Sequence, residues 1–475
     1  MLRHINNLYL EKIVNFLFYF FPISFILGSL ILNLNLFLLI IVSLLFIYKS
    51  KYYFKLNYSN VFLTLFFTFI IFTSFINIES NNYDNAIKSI FLLRFLILYF
   101  IIELLLINNK LDLKNFFIIS LTFTVFVSLD VIFQYIFGYD IFGYLPWDGM
   151  IAGPFEHEAI AGSFIQRFAL FSIFASIFLF NKKNINNKIL FFVILLLLVG
   201  TFLASNRMSL VLLIGSLFII FFIYKKIRTV LFLSLLSFIT IAAILINNDA
   251  TLKKKYQHMY KRFFVKQVEQ KEDNLVSESK SSSNKKVNLY SSYHFRIYTT
   301  VIKSWQNKPL LGQGHKSFRT KCRNIVEKNE NLSCSTHAHN YHLQILHDFG
   351  IIGILLISTF VFMFLFKVIK KFKQYKFWKE NYFLYIIPII TTIIIEIWPV
   401  KSSGDILTTW NGTLVWLIVA LGTITNTNYN DKNLNPPIKS TKNLIITFAS
   451  MGLIFLIIKR IYLEGIFYST WDRVF

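Results

Sequence analysis

Long apolar runs recur along the whole chain. Each is about 15 to 25 residues long, which is enough for a helix to cross a hydrocarbon core of about 30 Å. Most are hydrophobic on all sides, which favours helices in a bundle over a β-barrel, whose strands would alternate with a period of two. We therefore predict an all-α polytopic membrane protein with about 12 to 13 transmembrane helices, near residues 13–28, 30–48, 60–77, 89–107, 115–138, 161–180, 189–204, 208–224, 229–246, 343–367, 382–399, 411–425 and 443–458.

Every second connection between these runs is basic, which predicts that those connections lie in the cytoplasm. The intervening connections, such as NIESNNYDN, are acidic or nearly neutral. The alternation places the amino terminus inside and the carboxyl terminus outside. The first run has no small-residue cleavage site, so we interpret it as a span and not as a signal peptide. The basic connections are KSKYYFK, NKLDLK, NKKNINNK, KKIR, KVIKKFKQYKFWK and NDKNLNPPIKSTK.

Composition supports a lipid environment and argues against a nucleic-acid partner. Hydrophobic residues make up 55% of the 475 residues, and 55 of them are phenylalanine, which is more apolar surface than soluble domains of this length bury. The formal charge of +24 is spread over short clusters between apolar runs and not along one amphipathic face. We interpret it as a topology signal, with membrane lipids as the surrounding partner.

One connection is much longer than the rest. It contains 18 Lys and Arg against 7 Asp and Glu from Asn247 to Tyr341, but long loops are exempt from the charge rule, so we place it outside. Its middle, QKEDNLVSESKSSSNKK, has the composition of a flexible insertion. From Tyr293 to Trp305 helical spacing returns, and a glycine-rich turn follows. The predicted organisation is helices 1 to 9 in residues 1–246, a large outer loop with a catalytic second half in 247–342, and helices 10 to 13 in 343–475.

The two cysteines of the chain, Cys322 and Cys334, both lie in this loop. On the oxidising side of the membrane a disulfide that closes a small loop is the favoured interpretation. The alternative is a metal site, because Cys334 begins the pattern C-x2-H-x-H-x2-H. That spacing crowds the ligands of a tetrahedral zinc ion, so we predict the disulfide and no metal site.

Histidines concentrate in STHAHNYHLQILHDFGIIG, where the loop re-enters the membrane. A neutral imidazole there can take a proton from a substrate hydroxyl, and His337 and His339 are the candidates. Each histidine taken alone could equally be an interfacial polar residue or a cap. Asn340 is predicted to cap the following helix, whose amino-terminal end favours a nearby anionic group.

Two arginines share the predicted outer face with these histidines. Arg207 lies in the very short connection LASNRMSL, and Arg296 lies in the ordered half of the long loop. Guanidinium groups suit bidentate binding of phosphate oxygens. The alternative for either residue is an interfacial anchor that meets lipid headgroups.

Three charged residues, Arg94, Asp130 and Glu396, lie within apolar runs. A charge is costly there and normally faces a partner or a polar cavity. Arg94 and Asp130 are at similar distances from the outer ends of adjacent spans, so we predict that they form an ion pair. A structural pair is favoured over a catalytic one.

Several segments, in order, resemble the O-antigen ligase and polymerase family. NRMSLVLLIG is similar to the family's arginine at the head of a span, and FRIYTTVIKSWQNKPLLGQGHKSF to its Arg-led helix followed by P-x-x-G-x-G. HAHNYHLQILHDFGIIG is similar to its His-Asn-x-x-Leu segment. GPFEHEAIAGSFIQR and IWPVKSSGDILTTWNGTLVW resemble segments that flank the core. The serine- and lysine-rich insertion, the cysteines and the extra carboxyl-terminal span depart from the pattern.

The resemblance implies a GT-C-like bundle with one large periplasmic loop. It assigns catalytic roles to Arg207, Arg296 and His339, and we add His337, Asn340 and Arg94 as candidate substrate-binding residues.

The implied reaction is inverting transfer of a glycan from an undecaprenyl-diphosphate donor to an acceptor sugar, at the periplasmic face of the bacterial inner membrane. His339 would be the base, and arginines would stabilise the diphosphate without a metal or cofactor. Ligation of O-antigen to lipid A-core is the leading hypothesis, and O-antigen polymerisation is the alternative. A transporter or flippase is a third hypothesis, which would need polar residues along a whole crossing path.

Overall fold

The computed structural model describes residues 7–54, 57–78, 83–146, 149–156, 158–179, 183–204, 206–254, 293–327, 332–373 and 380–426. Within these ranges the regular structure is helical, without a β-strand. The predicted span 443–458, the predicted outer carboxyl terminus and the polar insertion of the long loop lie outside the described residues.

The helices are numbered here in chain order. They are α1 Asn7–Tyr19, α2 Phe21–Leu27, α3 Ser29–Ser50, α4 Tyr58–Ile76, α5 Tyr83–Phe91, α6 Leu93–Ile107, α7 Leu113–Phe137, α8 Ala161–Leu179, α9 Lys183–Leu203, α10 Arg207–Ile223, α11 Arg228–Asn248, α12 Tyr293–Trp305, α13 Phe318–Val326, α14 Tyr341–Lys373, α15 Glu380–Glu396 and α16 Thr409–Leu421.

Long apolar helices confirm the prediction of an all-α polytopic membrane protein. In the described part of the chain, seven helices are long and apolar enough to cross a membrane, and α1 with α2, which meet at 46°, forms an eighth candidate. Four shorter apolar helices lie in α9, α10, α15 and α16. The twelve predicted runs within the described residues each coincide with one of these helices or with the α1–α2 pair.

Local sequence explains where several spans begin. Asn57, Asp112 and Asn206 precede α4, α7 and α10, and each side chain accepts a hydrogen bond from a backbone N–H in the first helical turn. Such N-caps satisfy amide groups that the helix leaves without a partner. Between the helices, phenylalanines fill the core, as where the rings of Phe18 and Phe116 lie 4.5 Å apart.

Helix packing brings distant parts of the chain to one end of the bundle. Helices α7, α8, α9 and α11 pack against one another in sequence, α4 packs on α14, and α6 packs on α16. Helix α8 also contacts α10 and α15. The connections that follow α4, α7, α9, α11 and α15 meet at one end, which we call the loop end.

The ordered half of the long loop forms a small domain at the loop end. Helices α12 and α13 share a core with the segment before α14, and the structure contains the Cys322–Cys334 disulfide within it. This bond uses the sulfur of Cys334 that a metal site would need. The members of the core are Ile297, Val301, Phe318, Cys322 and Ala338.

A glycine-dependent contact fastens this domain to the membrane helices. Gly350 interrupts α14 with a φ of 64°, and the backbone N–H groups of Ile351 and Ile352 donate to the carbonyls of Pro309 and Leu310. A β-carbon at Gly350 would overlap the Leu310 carbonyl. These hydrogen bonds hold the turn after α12 against the kink in α14. The close approach of the two backbones explains why the turn and the kink both contain glycine.

The predicted ion pair between Arg94 and Asp130 is wrong. Arg94 donates to the hydroxyl of Thr409 at 3.2 Å and lies over the Phe95 ring. Asp130 instead accepts from the backbone N–H of Ile141 at 2.9 Å. The Asp130 carboxylate thus binds the loop that follows its own helix, α7. Similar predicted depth in the membrane did not bring Arg94 and Asp130 together.

Candidate functional site

A cleft of about 380 Å³ opens at the loop end. Four separate chain segments form it: the start of α8 with its preceding residues, the start of α10, the histidine segment before α14, and the connection between α15 and α16. Its lining residues include Ser163, Gln166, Arg167, Asn206, Ser209, His337, His339, Lys401, Ser403, Trp410 and Asn411.

A buried ion pair forms the floor of the cleft. The Nε and Nη2 atoms of Arg167, on α8, donate to the two carboxylate oxygens of Glu396, on α15, at 3.2 and 2.7 Å. Nη1 donates to the side-chain oxygen of Asn411 at 3.0 Å. The two charged residues are 3% and 2% exposed. This fork geometry fixes both groups and satisfies every nitrogen of the guanidinium.

Two further residues complete this floor network, which consists of Arg167, Glu396, Lys401, Tyr341 and Asn411. The Tyr341 hydroxyl donates to Glu396 at 3.0 Å and accepts from Arg167 at 2.9 Å. Lys401 Nζ lies 2.6 Å from Glu396 Oε1, and burial lowers the pKa of this lysine to about 8 against the attraction of the carboxylate. The network joins α8, α14, α15 and α16 at one point.

The connection after α15 holds His339 in an unusual backbone conformation. His339 has a φ of 52°, in the left-handed region that non-glycine residues rarely adopt. Its carbonyl accepts from the backbone N–H of Ser403 at 3.0 Å. Strain of this kind often occurs at functional sites, where the surrounding structure enforces it.

Asn340 joins the start of α14 to the connection after α15. Its amide nitrogen donates to the carbonyls of Pro399 and Lys401, and its oxygen accepts from the backbone N–H of Leu343. The expected helix cap is therefore present. The residue is buried and uses its amide within the protein, next to His339, whereas its predicted role in substrate binding stays a prediction.

The environment of His339 favours the neutral imidazole. Its Nε2 lies 3.0 Å from the hydroxyl of Ser335, and its ring centroid lies 4.1 Å from that of His337 and 5.1 Å from that of His294. Burial, followed by the charges of His337 and His294, lowers the pKa of His339 to about 4. At neutral pH the ring therefore has a lone pair that can accept a proton.

A second group of charges, the basic cluster of Lys88, Arg94, Lys316 and Arg319, lies beside the histidines. Burial lowers the pKa of Lys316, and the positive charges of Lys88, Arg319 and Arg94 lower it further, whereas Asp405 opposes them. The charge of Arg319 also lowers the pKa of His337. Four helices or loops thus contribute cations to one region, which suits an anionic group.

The predicted arginines occupy different positions relative to the cleft. Arg207 begins α10 and is exposed, while its neighbours Asn206 and Met208 line the cleft. Arg296 is half-buried on α12, and its Nε has no hydrogen-bond partner among the described residues. The two arginines lie beside the cleft and do not line it.

A buried histidine fastens α12 to α14. His347 Nε2 lies 2.9 Å from the Ser304 hydroxyl, and Nδ1 lies 2.7 Å from an Asp348 carboxylate oxygen. All three residues are buried, and none lines the cleft. This set therefore positions α12, whose Tyr298 hydroxyl donates to the His339 carbonyl at 3.4 Å.

Sequence reasoning missed the floor network. Glu396 was recognised as a charge within an apolar run, but its partner Arg167 was seen only as the last residue of GPFEHEAIAGSFIQR. Both lie within predicted spans, where a charge implies a partner. That signal could have identified the pair, although 229 residues separate its members in the chain.

Comparison with known protein families gives a match over the middle of the chain. Residues 191–358 match the family described as O-antigen ligase. The match runs from α9 into α14, so it includes Arg207, Arg296 and His339 but neither Arg167 nor Glu396. No curated protein matches the chain.

Proposed function

From the assignment to the O-antigen ligase and polymerase family, which the match to residues 191–358 supports, we propose that this membrane protein is an O-antigen ligase. The family implies a glycosyltransferase-type enzyme with a lipid-linked glycan donor and a glycan acceptor. The specific donor is a glycan on undecaprenyl diphosphate, and the acceptor is lipid A-core. The reaction takes place at the loop end, on the periplasmic face of the bacterial inner membrane.

One observation carries this proposal: the histidine pair lines the cleft and also lies within the electrostatic influence of the basic cluster. The rings of His337 and His339 line the cleft, and the charge of Arg319 in the basic cluster acts on His337. A glycosyltransferase needs a base next to the acceptor hydroxyl and cations next to the departing diphosphate.

The groups present suffice for an inverting displacement. His339 Nε2 lies 3.0 Å from the Ser335 hydroxyl. The proposed mechanism uses the tautomer in which Nε2–H donates to Ser335 and the Nδ1 lone pair takes the proton of the acceptor hydroxyl. The acceptor oxygen forms the new bond to the sugar anomeric carbon while the bond to the diphosphate oxygen breaks. Undecaprenyl diphosphate leaves with that electron pair, and Lys316, Arg319 and Arg94 stabilise its charge. Arg207 and Arg296 are proposed to contact the donor from the edge of the cleft.

The first test replaces the proposed base. His339→Ala is expected to lower the transfer rate by about 10²- to 10⁴-fold, the usual contribution of general base catalysis. Transfer is measured with purified full-length protein, lipid-linked O-antigen and lipid A-core. His342→Ala is the matched control, because His342 is exposed three residues away and contacts the Ile397 carbonyl, outside the cleft lining. Full activity in both His339→Ala and Arg296→Ala proteins would contradict the transferase proposal.

The second test identifies the acceptor. Deletion of the gene is expected to leave bare core lipopolysaccharide while lipid-linked chains accumulate, as seen on a lipopolysaccharide gel. Core that bears a single repeat would instead show a polymerase, which uses the same lipid-linked donor.

A further inference from the structure

One wall of the cleft is made of neutral polar side chains. The hydroxyls of Ser163 and Ser209 lie 3.1 Å apart, and the amide of Asn206 donates to Ser163 at 3.0 Å. These residues come from α8, from α10 and from the residue that caps α10. The wall therefore presents hydroxyl and amide groups and no formal charge.

Two buried polar side chains in the cleft lack partners. Gln166 is 4% exposed, and its amide forms no hydrogen bond with any residue in the described ranges. On the other side, the hydroxyl of Ser403, a residue 8% exposed, likewise has none there. Buried polar groups are almost always hydrogen-bonded, so these two indicate a bound molecule with its own donors and acceptors.

The two cations of the cleft, Arg167 and Lys401, already have a carboxylate partner within the protein, and Glu158 adds a negative charge to the lining. Every nitrogen of Arg167 has a protein partner, and Lys401 lies against Glu396. An anion would have to compete with Glu396 for either cation. The basic cluster offers anions a better place, so the cleft favours an uncharged ligand.

The volume of the cleft and its one aromatic wall suit a sugar. A volume of about 380 Å³ holds roughly one or two sugar rings, at the lower end of the usual range for small-molecule pockets. Trp410 lines the cleft and is held by a hydrogen bond from its Nε1 to the Phe25 carbonyl at 3.2 Å. The Arg167 guanidinium lies over this ring, 5.2 Å from its centroid, and the part of the ring that lines the cleft provides an apolar surface for the C–H face of a sugar.

Resting on the proposed function, we infer that this cleft binds an unphosphorylated sugar unit of the acceptor, and that Gln166 and Ser403 determine its specificity by hydrogen-bonding its hydroxyls. The acceptor and not the donor is assigned here because the ring of the proposed base, His339, lines the same cleft. The donor's diphosphate is then assigned to the basic cluster.

The test removes the amide of Gln166 without removing its volume. Gln166→Met is expected to raise the acceptor KM by about 5- to 10-fold, the effect of losing one or two hydrogen bonds, and to leave the donor KM unchanged. Because this amide has no hydrogen bond within the described structure, the melting temperature should not fall. Ser172→Ala is the matched control on α8, since that hydroxyl is buried and bonds only within its helix.

Initial rates are measured with purified full-length protein, lipid-linked O-antigen as donor and core lipopolysaccharide from the deletion strain as acceptor. If Gln166→Met does not fold, Ser403→Ala on the opposite wall should show the same acceptor-specific change. A rise in the donor KM alone, or no change in either KM, overturns the inference while the transferase proposal stands. Full activity of His339→Ala would instead overturn the transferase proposal itself.

Discussion

The floor network and the basic cluster lie at the same end of the bundle, but they differ in how their charges are balanced. In the floor network, Arg167 and Lys401 share the carboxylate of Glu396, and Tyr341 and Asn411 occupy the remaining hydrogen-bonding positions. The network is held together by contacts within the protein. Its members join four helices, so its effect is to fix the geometry of the cleft.

The basic cluster has an excess of positive charge. Burial lowers the pKa of Lys316, and the positive charges of Lys88, Arg319 and Arg94 lower it further, whereas Asp405 is the one carboxylate that acts on this lysine in the opposite direction. A bound anion would relieve this repulsion. The comparison separates cations that are paired with a carboxylate inside the protein from cations that lie close to one another, and under our proposal only the second group binds the anionic part of the donor.

Breaking the floor network should have the largest effect. Glu396→Gln leaves Arg167 and Lys401 buried without a counter-charge, which is expected to cost about 3–5 kcal/mol of stability and to abolish activity. Thermal unfolding and the transfer assay measure both. The control is Glu11→Gln, because the Glu11–Lys110 pair is about one-third exposed and contributes about 1 kcal/mol or less. If the Glu396→Gln protein kept the stability and the activity of the unsubstituted protein, the floor network would not position the site.

The pH dependence tests the histidines that line the cleft. Since the pKa of His339 is lowered to about 4, its basic form persists from pH 7 down to about pH 5. We expect kcat/KM to be nearly constant over that interval and to fall about tenfold per pH unit below pH 4, as the base becomes protonated. Activity recovered on return to pH 7 excludes acid unfolding as the cause. If kcat/KM instead fell on acidification around the ordinary histidine pKa of about 6.5, burial would not lower the pKa of His339 as proposed.

Weakening the basic cluster should have the smallest effect. Arg319→Gln is expected to raise the donor KM by about 3- to 10-fold and to reduce its dependence on salt, with stability unchanged because the side chain is exposed. Arg323→Gln, also exposed on α13, is the control and should change little. An equal effect from both substitutions would mean that general surface charge, and not this cluster, attracts the donor.

Much of the fold was predictable because membrane insertion depends on local sequence. Each of the twelve apolar runs within the described residues predicted an apolar helix or helix pair, of which seven, or eight with the α1–α2 pair, are long enough to cross a membrane, and Asn340 was correctly expected to cap its helix. The site was predictable only in part. His337 and His339 were selected by their density in one segment, and they line the cleft, whereas Arg207 and Arg296 lie beside it.

The sequence by itself determined the helical class, the places where helices begin and the segment that holds the histidines, because each depends on neighbouring residues. Only the tertiary structure decided which charges meet. Arg94 and Asp130 have similar depth but bind Thr409 and a loop amide, while Arg167 reaches Glu396. A buried charge selects its partner by which helices pack together, and the long-range packing that unites α8 with α15 leaves no local signal in either segment.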